Sequence, residues 1–345
     1  MRKKGLFALA VVVIASVVFA VAGGTGRAAH KAHQATIKVG LVTDIGSLQD
    51  HGFNQLANAG LKRAKAKLHV QTHLFQTATA ADRLPNLQTA AQQGNGLVIG
   101  TGFFMGDPIN RLASRFPKTK FAGIDVNWTS DLPSHPTNVR GLIFKEQEAG
   151  YLAGYIAGLV VKHKGGDQVI SSVGANAVPA IIRYQAGYAA GAKKANPKIT
   201  VINQLANDPT FSDQAKCKET ATGQVARHTQ VIFAVAGLCG LGALNEAKQN
   251  HLWGIGVDAD QGYLGSYMLT SATKKVDVAT FQTIQEFKKN PSKFKGGFNK
   301  VFSLKNGGVG YGKLAKSVPQ RAAIVKAVNR IEKLIARGKI VPPTK

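Results

Sequence analysis

Short β-branched runs alternate with longer helical patterns, first from residue 36 and again after residue 144, and this constrains the chain more than any other feature. "TIKVGLVTD" (36–44) reads as a buried strand and "FNQLANAGLKRAKAKL" as a helix. "VQTHLFQ", "GLVIGTG", "KFAGIDV" and "VRGLIF" follow as strands, with helices around 84–93 and 108–115. The long helix "KEQEAGYLAGYIAGLVVKH" has small residues at close-packing spacing. Then the series restarts with "QVISSVGA", "ITVINQLA", "QVIFAVAG", "LWGIGVDA" and "MLTSATK"; the helix "VDVATFQTIQEFKK" and a helix over about 319–337 end it. Strands alternating with helices imply a parallel sheet covered on both faces. Two series imply an α/β chain of two doubly wound lobes, divided near residue 144.

In such sheets a ligand sits beyond the carboxyl ends of the strands. The residues there are Asp44, Gly102, Asp125, Ala175, Gly237 and Asp258. Three of the six are aspartates. An ionised carboxylate only accepts hydrogen bonds. Several at one cleft would repel an anion and welcome hydroxyls, ring N–H groups and amines. Each of these aspartates also suits the N-cap of the following helix.

The stretch "VGLVTDIGSLQDHGFNQ" (39–55) concentrates this chemistry. Its strand delivers Asp44 to the edge of the lobe. Gly46 and Gly52 let the backbone approach a ligand. Phe53 offers a flat face on which a base can stack for about 1–3 kcal/mol, or else a hydrophobic staple at a helix entry. Asn54 brings both a donor and an acceptor.

Charge sets the chain apart: 44 Lys plus Arg against 18 Asp plus Glu, formally +26. The excess implies either an anionic neighbour or a generally basic surface. "MRKKGLFALAVVVIASVVFAVAGG" has a basic start, an apolar run and small residues, the layout of a secretory signal over 1–22, followed by a flexible linker over 23–35. The apolar run also approaches the length of an uncleaved anchor. Export places the protein in the periplasm or on the outer face of the cytoplasmic membrane, makes nucleic acid an unsuitable partner and permits a disulfide. Cys217 and Cys239 allow one pairing, the alternative being two buried thiols. The nine His are scattered, no H-E-x-x-H occurs, and "DADQG" (258–262) lacks the closing Glu of a calcium loop, so neither metal nor cofactor is expected. No G-x-S-x-G elbow or Walker G-K-[ST] is present. "KKNPSKFKGGFNK" (288–300) reads as a basic surface loop.

Several motifs resemble the basic membrane protein family of ABC-transporter substrate-binding proteins, whose best-understood members are purine-nucleoside receptors. They are "DIGSLQDHGFNQLANAGL", "FAGID" (121–125), "EQEAGYLAGYIAG" (146–158), "YQAGYAAGAKKANP" (184–197), "VIFAVAGLCGLGAL" (231–244), and "GIGVDADQGYL" with "LTSATKKVDVA" (254–279). The resemblance spans nearly the whole chain after the leader. It implies a type I periplasmic-binding-protein fold with lobes at 36–143 plus about 263–300, and 144–262 plus about 301–345, joined by a hinge. It implies a non-catalytic protein that captures a nucleoside and hands it to a membrane permease; a monomer is expected, and the basic excess with the run at 288–300 points to anionic envelope polymers as a further partner. By position, Asp44 would contact the base and Phe53 stack on it, with Asn54 completing the pair. Asp125 would be a second polar contact, Gly237 a close backbone approach, and Asp258 with Lys274 the ribose-hydroxyl pair. Tyr188 stands where the family has a second stacking Phe, with Tyr184 as the nearest substitute. The competing readings are a nucleoside-cleaving hydrolase, which needs two carboxyls straddling the bond, and an envelope sensor without transport.

Overall fold

β1 (Lys38–Val42) is buried at every position after the first, the pattern of a strand with helices on both faces. α1 (Phe53–Leu68) follows, then β2 (Gln71–Phe75), α2 (Arg83–Gln92), β3 (Leu97–Thr101), α3 (Gly106–Ala113), β4 (Lys120–Ile124) and β5 (Val139–Phe144). The second series runs α4 (Glu146–Lys164), β6 (Val169–Gly174), α5 (Pro179–Ala195), β7 (Thr200–Leu205), α6 (Gln214–Val225), β8 (Thr229–Val235), α7 (Gly240–Gln249), β9 (Trp253–Asp258) and β10 (Met268–Lys274). The chain ends with α8 (Val276–Lys289), β11 (Phe298–Phe302), β12 (Val309–Tyr311) and α9 (Arg321–Ala336). This computed structural model describes residues 36–345, which form one compact unit. The expected leader (1–22) and linker (23–35) lie outside the described residues.

One six-stranded sheet has the order β11-β5-β4-β3-β1-β2 and is parallel throughout. The other has the order β12-β10-β9-β8-β6-β7, with only β12 antiparallel among its described strands. The two orders correspond strand for strand, so β4 and β9 hold the same place in their lobes. α4 and α5 pack at backbone contact: a side chain on Gly154 would overlap the Tyr188 carbonyl, and one on Gly191 the Tyr151 carbonyl. This close contact is why the small residues recur along both helices.

The chain crosses between the sheets at Lys145, at Lys275 and over 303–308. The Lys145 N–H donates to the Phe302 carbonyl and the Lys275 N–H to the Gly308 carbonyl, each at 2.9 Å, tying the three crossings together. The second crossing comes later than the expected boundary at 263, because Met268–Lys274 hydrogen-bonds into the second sheet beside β9. α8 then returns to the first lobe, where Asp277 pairs with Arg63 of α1 at 3.4 Å. The run read as a surface loop over 288–300 contains the start of β11, paired with β5 through residue 302, so residues 301–302 also belong to the first lobe.

Candidate ligand-binding cleft

The carboxyl ends of the strands in both sheets face one cavity between the lobes. Five of the six strand-end residues line it: Asp44, Gly102, Asp125, Gly237 and Asp258. Ala175 does not; Val178, Ala180 and Ile181 line the cavity after β6 instead. Phe53, Asn54 and Lys274 complete the expected set that the structure brings together.

The loop after β1 is built by its own polar groups. Asp50 caps α1, accepting from the backbone N–H groups of Gly52, Asn54 and Gln55 at 3.0, 2.7 and 3.1 Å. Asn54 Oδ1 accepts from the Asp44 N–H at 3.2 Å and its Nδ2 donates to the Ile45 carbonyl at 3.4 Å, so this side chain shapes the loop. Asp44 Oδ1 accepts from Ile45 N–H at 2.8 Å and from Arg83 Nε at 2.7 Å. Its Oδ2 faces Gly102, where φ is +108° and a Cβ would lie 2.8 Å from that oxygen. Glycine is therefore required there on both counts. Burial pushes the Asp44 carboxyl up, and Arg83 opposes the shift.

At the hinge, five ionisable groups are buried together. Lys274 Nζ lies 2.6 Å from Asp125 Oδ2 and 2.9 Å from Glu146 Oε1. Arg183 Nε donates to Glu146 Oε2 at 2.7 Å. Asp258 accepts from the Tyr184 hydroxyl at 3.2 Å. Burial disfavours the Lys274 cation, yet Asp125, Glu146 and Asp258 together hold its pKa above the ordinary value. Burial likewise raises Glu146, but Lys274 and Arg183 outweigh it and pull the carboxyl below its usual range. At Asp125 burial prevails over Lys274. Asp258 is pushed up to about 7 by burial, with Lys274 opposing and Asp125 and Asp50 adding to the rise. Three carboxyls share two cations, and burial raises two of them, Asp125 and Asp258. Asp125 Oδ1 is buried without a hydrogen-bond partner in a residue that lines the cavity. An acceptor so placed suits a hydroxyl or N–H of a ligand.

Tyr188 is not in the cleft. It is fully buried against Phe233, ring centroids 5.1 Å apart, and its hydroxyl has no partner. Tyr184, one turn nearer the start of α5, lines the cavity instead. The sequence reading missed Phe103, Phe104 and Phe211, which are also in the wall. "GFF" after β3 was a visible signal for the first two. Phe211 lies in the loop after β7, which Asp208 organises by accepting from the N–H groups of Thr210, Ser212 and Asp213. The Phe211 carbonyl accepts from the Cys239 N–H at 3.0 Å, in the turn that also carries Gly237. Cys239 is joined to Cys217 of α6, Cα atoms 5.5 Å apart. Across the cleft Phe211 meets Phe104 edge-on, centroids 6.4 Å apart. At the other rim the Tyr263 hydroxyl lies 2.8 Å from His51 Nδ1, and Gln261 donates to the His51 carbonyl at 3.1 Å. The lobes thus touch on both sides of the cavity. Among the described residues, no group of three His, Cys, Asp or Glu is placed to hold a metal ion.

Two α/β lobes, three crossings and a closed cleft at the strand ends define a solute-binding protein of the type I periplasmic class. A solved solute-binding protein of an ABC transporter system from Aeropyrum pernix shares this fold, with TM-score 0.78 and 24% identity over 90% of this chain and 94% of that one. The family described as "ABC transporter substrate-binding protein PnrA-like" (Bmp) matches residues 37–344, and the chain belongs to it. It is 32% identical to the ABC transporter nucleoside-binding protein BmpA of Lactococcus lactis, over 99% of this chain and 100% of that protein. It is also 31% identical to basic membrane protein A1 of Borrelia garinii, over 89% and 88%.

Proposed function

We propose that this chain captures a nucleoside, of the purine class, outside the cytoplasmic membrane, and presents it unaltered, as a monomer, to the permease of an ABC transporter. The observation that carries the reading is the placement of Lys274. Its Nζ lies 5.0 Å from the centre of the Phe53 ring and against Asp125, which sets an aromatic face beside a cluster of acceptors. A base stacked on Phe53 would place its sugar among Asp125, Asp258 and Lys274. Asp44 Oδ2, beside Gly102, would accept from an edge of the base. Gly237, with φ +56°, would offer its backbone at close range. Asn54 acts by holding the loop that carries Asp44. The charge of Lys274 is already matched by Asp125 and Glu146, so the cleft has no cation to spare for a phosphate. Among the described residues no helix is long and apolar enough to cross a membrane.

A thermal-shift series on residues 36–345 tests this reading. Purine nucleosides should raise the melting temperature, by the equivalent of about 2.7 kcal/mol at a hundredfold excess over Kd. Their monophosphates should not, and chromatography should detect no free base after incubation. Equal stabilisation by monophosphates would remove the acidic-cleft argument, and sustained release of base would make the protein a hydrolase.

A further inference from the structure

α9 buries Ile324, Val328, Ile331 and Ile335 against its lobe, a stripe spaced i, i+4, i+7, i+11. Two residues further along, the same spacing recurs as Lys326, Arg330, Lys333 and Arg337, all exposed. At about 100° per residue, a step of two turns this row to the side away from the core. At a rise of about 1.5 Å per residue the four cations form a straight row roughly 16 Å long. Among the described residues none of the four is in an ion pair. From 321 to 345 the sequence has seven Lys or Arg against one acid, Glu332. The basic run at 288–300 is only partly engaged and not aligned on one helix: Lys288 donates to the Leu68 carbonyl and Lys300 pairs with Glu286. α9 is thus a basic surface whose four aligned cations are not matched by acids among the described residues.

We infer that this face of α9 rests on an anionic lipid surface. The charges are complementary, and a rigid, convex row matches a flat leaflet better than it could enclose a flexible polymer chain. Val325, Asn329 and Leu334 flank the row and line the same open surface as the cations. The helix's apolar stripe is spent on the core, so α9 lies on the surface without entering it. Contact of this kind is electrostatic, reversible and sensitive to salt. It would keep a substrate-binding protein near the membrane in which its permease sits, and it does not depend on which solute fills the cleft.

The test uses residues 36–345, the compact unit that holds both sheets and their cores and lacks the apolar N-terminal run. Vesicles of phosphatidylcholine with a quarter phosphatidylglycerol should sediment the protein at low salt. Vesicles of phosphatidylcholine alone should not, nor should either kind near 1 M salt, where the screening length is about 3 Å. Each Lys or Arg near an anionic leaflet strengthens binding roughly fivefold. Lys326→Gln, Arg330→Gln, Lys333→Gln and Arg337→Gln together should therefore weaken it on the order of a hundredfold or more. Arg330→Lys with Arg337→Lys should keep it. Removing four exposed charges from the other lobe, with Lys62→Gln, Lys65→Gln, Lys67→Gln and Lys118→Gln, should change it little. Circular dichroism should confirm that each variant is folded. Absence of vesicle binding, full binding by the α9 variant or equal loss in the control would each overturn the inference. Tighter binding to soluble poly(glycerol phosphate) than to the vesicles would overturn it in favour of a wall polymer.

Discussion

Asp125 and Asp258 hold equivalent positions in the two lobes, at the ends of β4 and β9, with left-handed backbone φ of 63° and 62°. This conformation is uncommon for a residue with a side chain, and Asp tolerates it better than most. Both residues line the same cavity, one from each wall. Lys274 bonds to the first, and its charge lowers the pKa of the second. The two lobes thus bring the same backbone device to one point, and a single lysine serves both carboxyls.

Asp258 should make stability depend on pH. Its carboxyl is raised from 3.8 to about 7 in the folded protein. Between these values the folded chain holds a proton that the unfolded chain has released. Stability therefore falls as pH rises through this window, and the loss is complete above about 7. At about 1.4 kcal/mol per pH unit the total is on the order of 4 kcal/mol. Asp258→Asn should flatten the fall in melting temperature between about pH 5 and about pH 8. If both proteins fall equally, the titrating group lies elsewhere. Because ligand hydroxyls would donate to the charged form, nucleoside affinity should rise over the same window.

Tyr188→Phe should stabilise the protein. The phenol oxygen is buried without a partner, at a desolvation cost of about 1–3 kcal/mol. The ring, packed on Phe233, would stay in place. Tyr184→Phe should do the opposite, because that hydroxyl donates to Asp258 in the cleft wall. Chemical denaturation of the two variants checks the contrast. Destabilisation by Tyr188→Phe would mean that the hydroxyl has a partner after all.

Arg83 should act on the ligand through Asp44. The pair is largely buried, with side-chain exposures of 11% and 12%, and the guanidinium also covers the Phe104 ring at 4.8 Å. Removing one partner of a buried pair costs about 3–5 kcal/mol, because the other charge is left unmatched. Arg83→Gln should therefore reduce both stability and nucleoside affinity. Adding Asp44→Asn should restore part of the stability but not the affinity. Calorimetric titration with denaturation of all four members of this double-mutant cycle measures the coupling. Additive losses would show that Arg83 does not position Asp44.

The features legible in the sequence were those with a short period or a fixed place in the topology. β1 was readable because its apolar run ends in Asp44, and Asp125 and Asp258 were readable for the same reason. Arg83 and Glu146 were not, because an ion pair between residues 39 or 128 positions apart leaves no local pattern. Tyr188 was misplaced for a related reason. It and Tyr184 lie one turn apart on the same face of α5, and only the depth at which the helix meets the cleft decides which ring lines it. β11 was hidden because "FNKVF" sits at a sheet edge with a burial pattern of mostly exposed and half-exposed positions. Its pairing with β5, over 150 residues away, is a tertiary fact.

The last prediction joins the disulfide to the cleft. Cys217 and Cys239 close a loop of 22 residues, worth about 3 kcal/mol in the chain-entropy account. The bond also fastens α6 to the turn that carries Gly237, and that turn's Cys239 N–H holds the Phe211 carbonyl. Phe211 and Gly237 both line the cavity, so the bridge braces the wall of the second lobe. Exported, non-reduced protein should show no free thiol by mass. Cys217→Ser with Cys239→Ser should lower the melting temperature and, in protein still folded at the assay temperature, weaken nucleoside binding. Phe211→Ala should weaken binding in the bridged protein too, and less in the unbridged variant, where the ring is already poorly held. A bridge that matters only for stability would leave affinity unchanged in the double serine variant, and the link between α6 and the ligand would then be discarded.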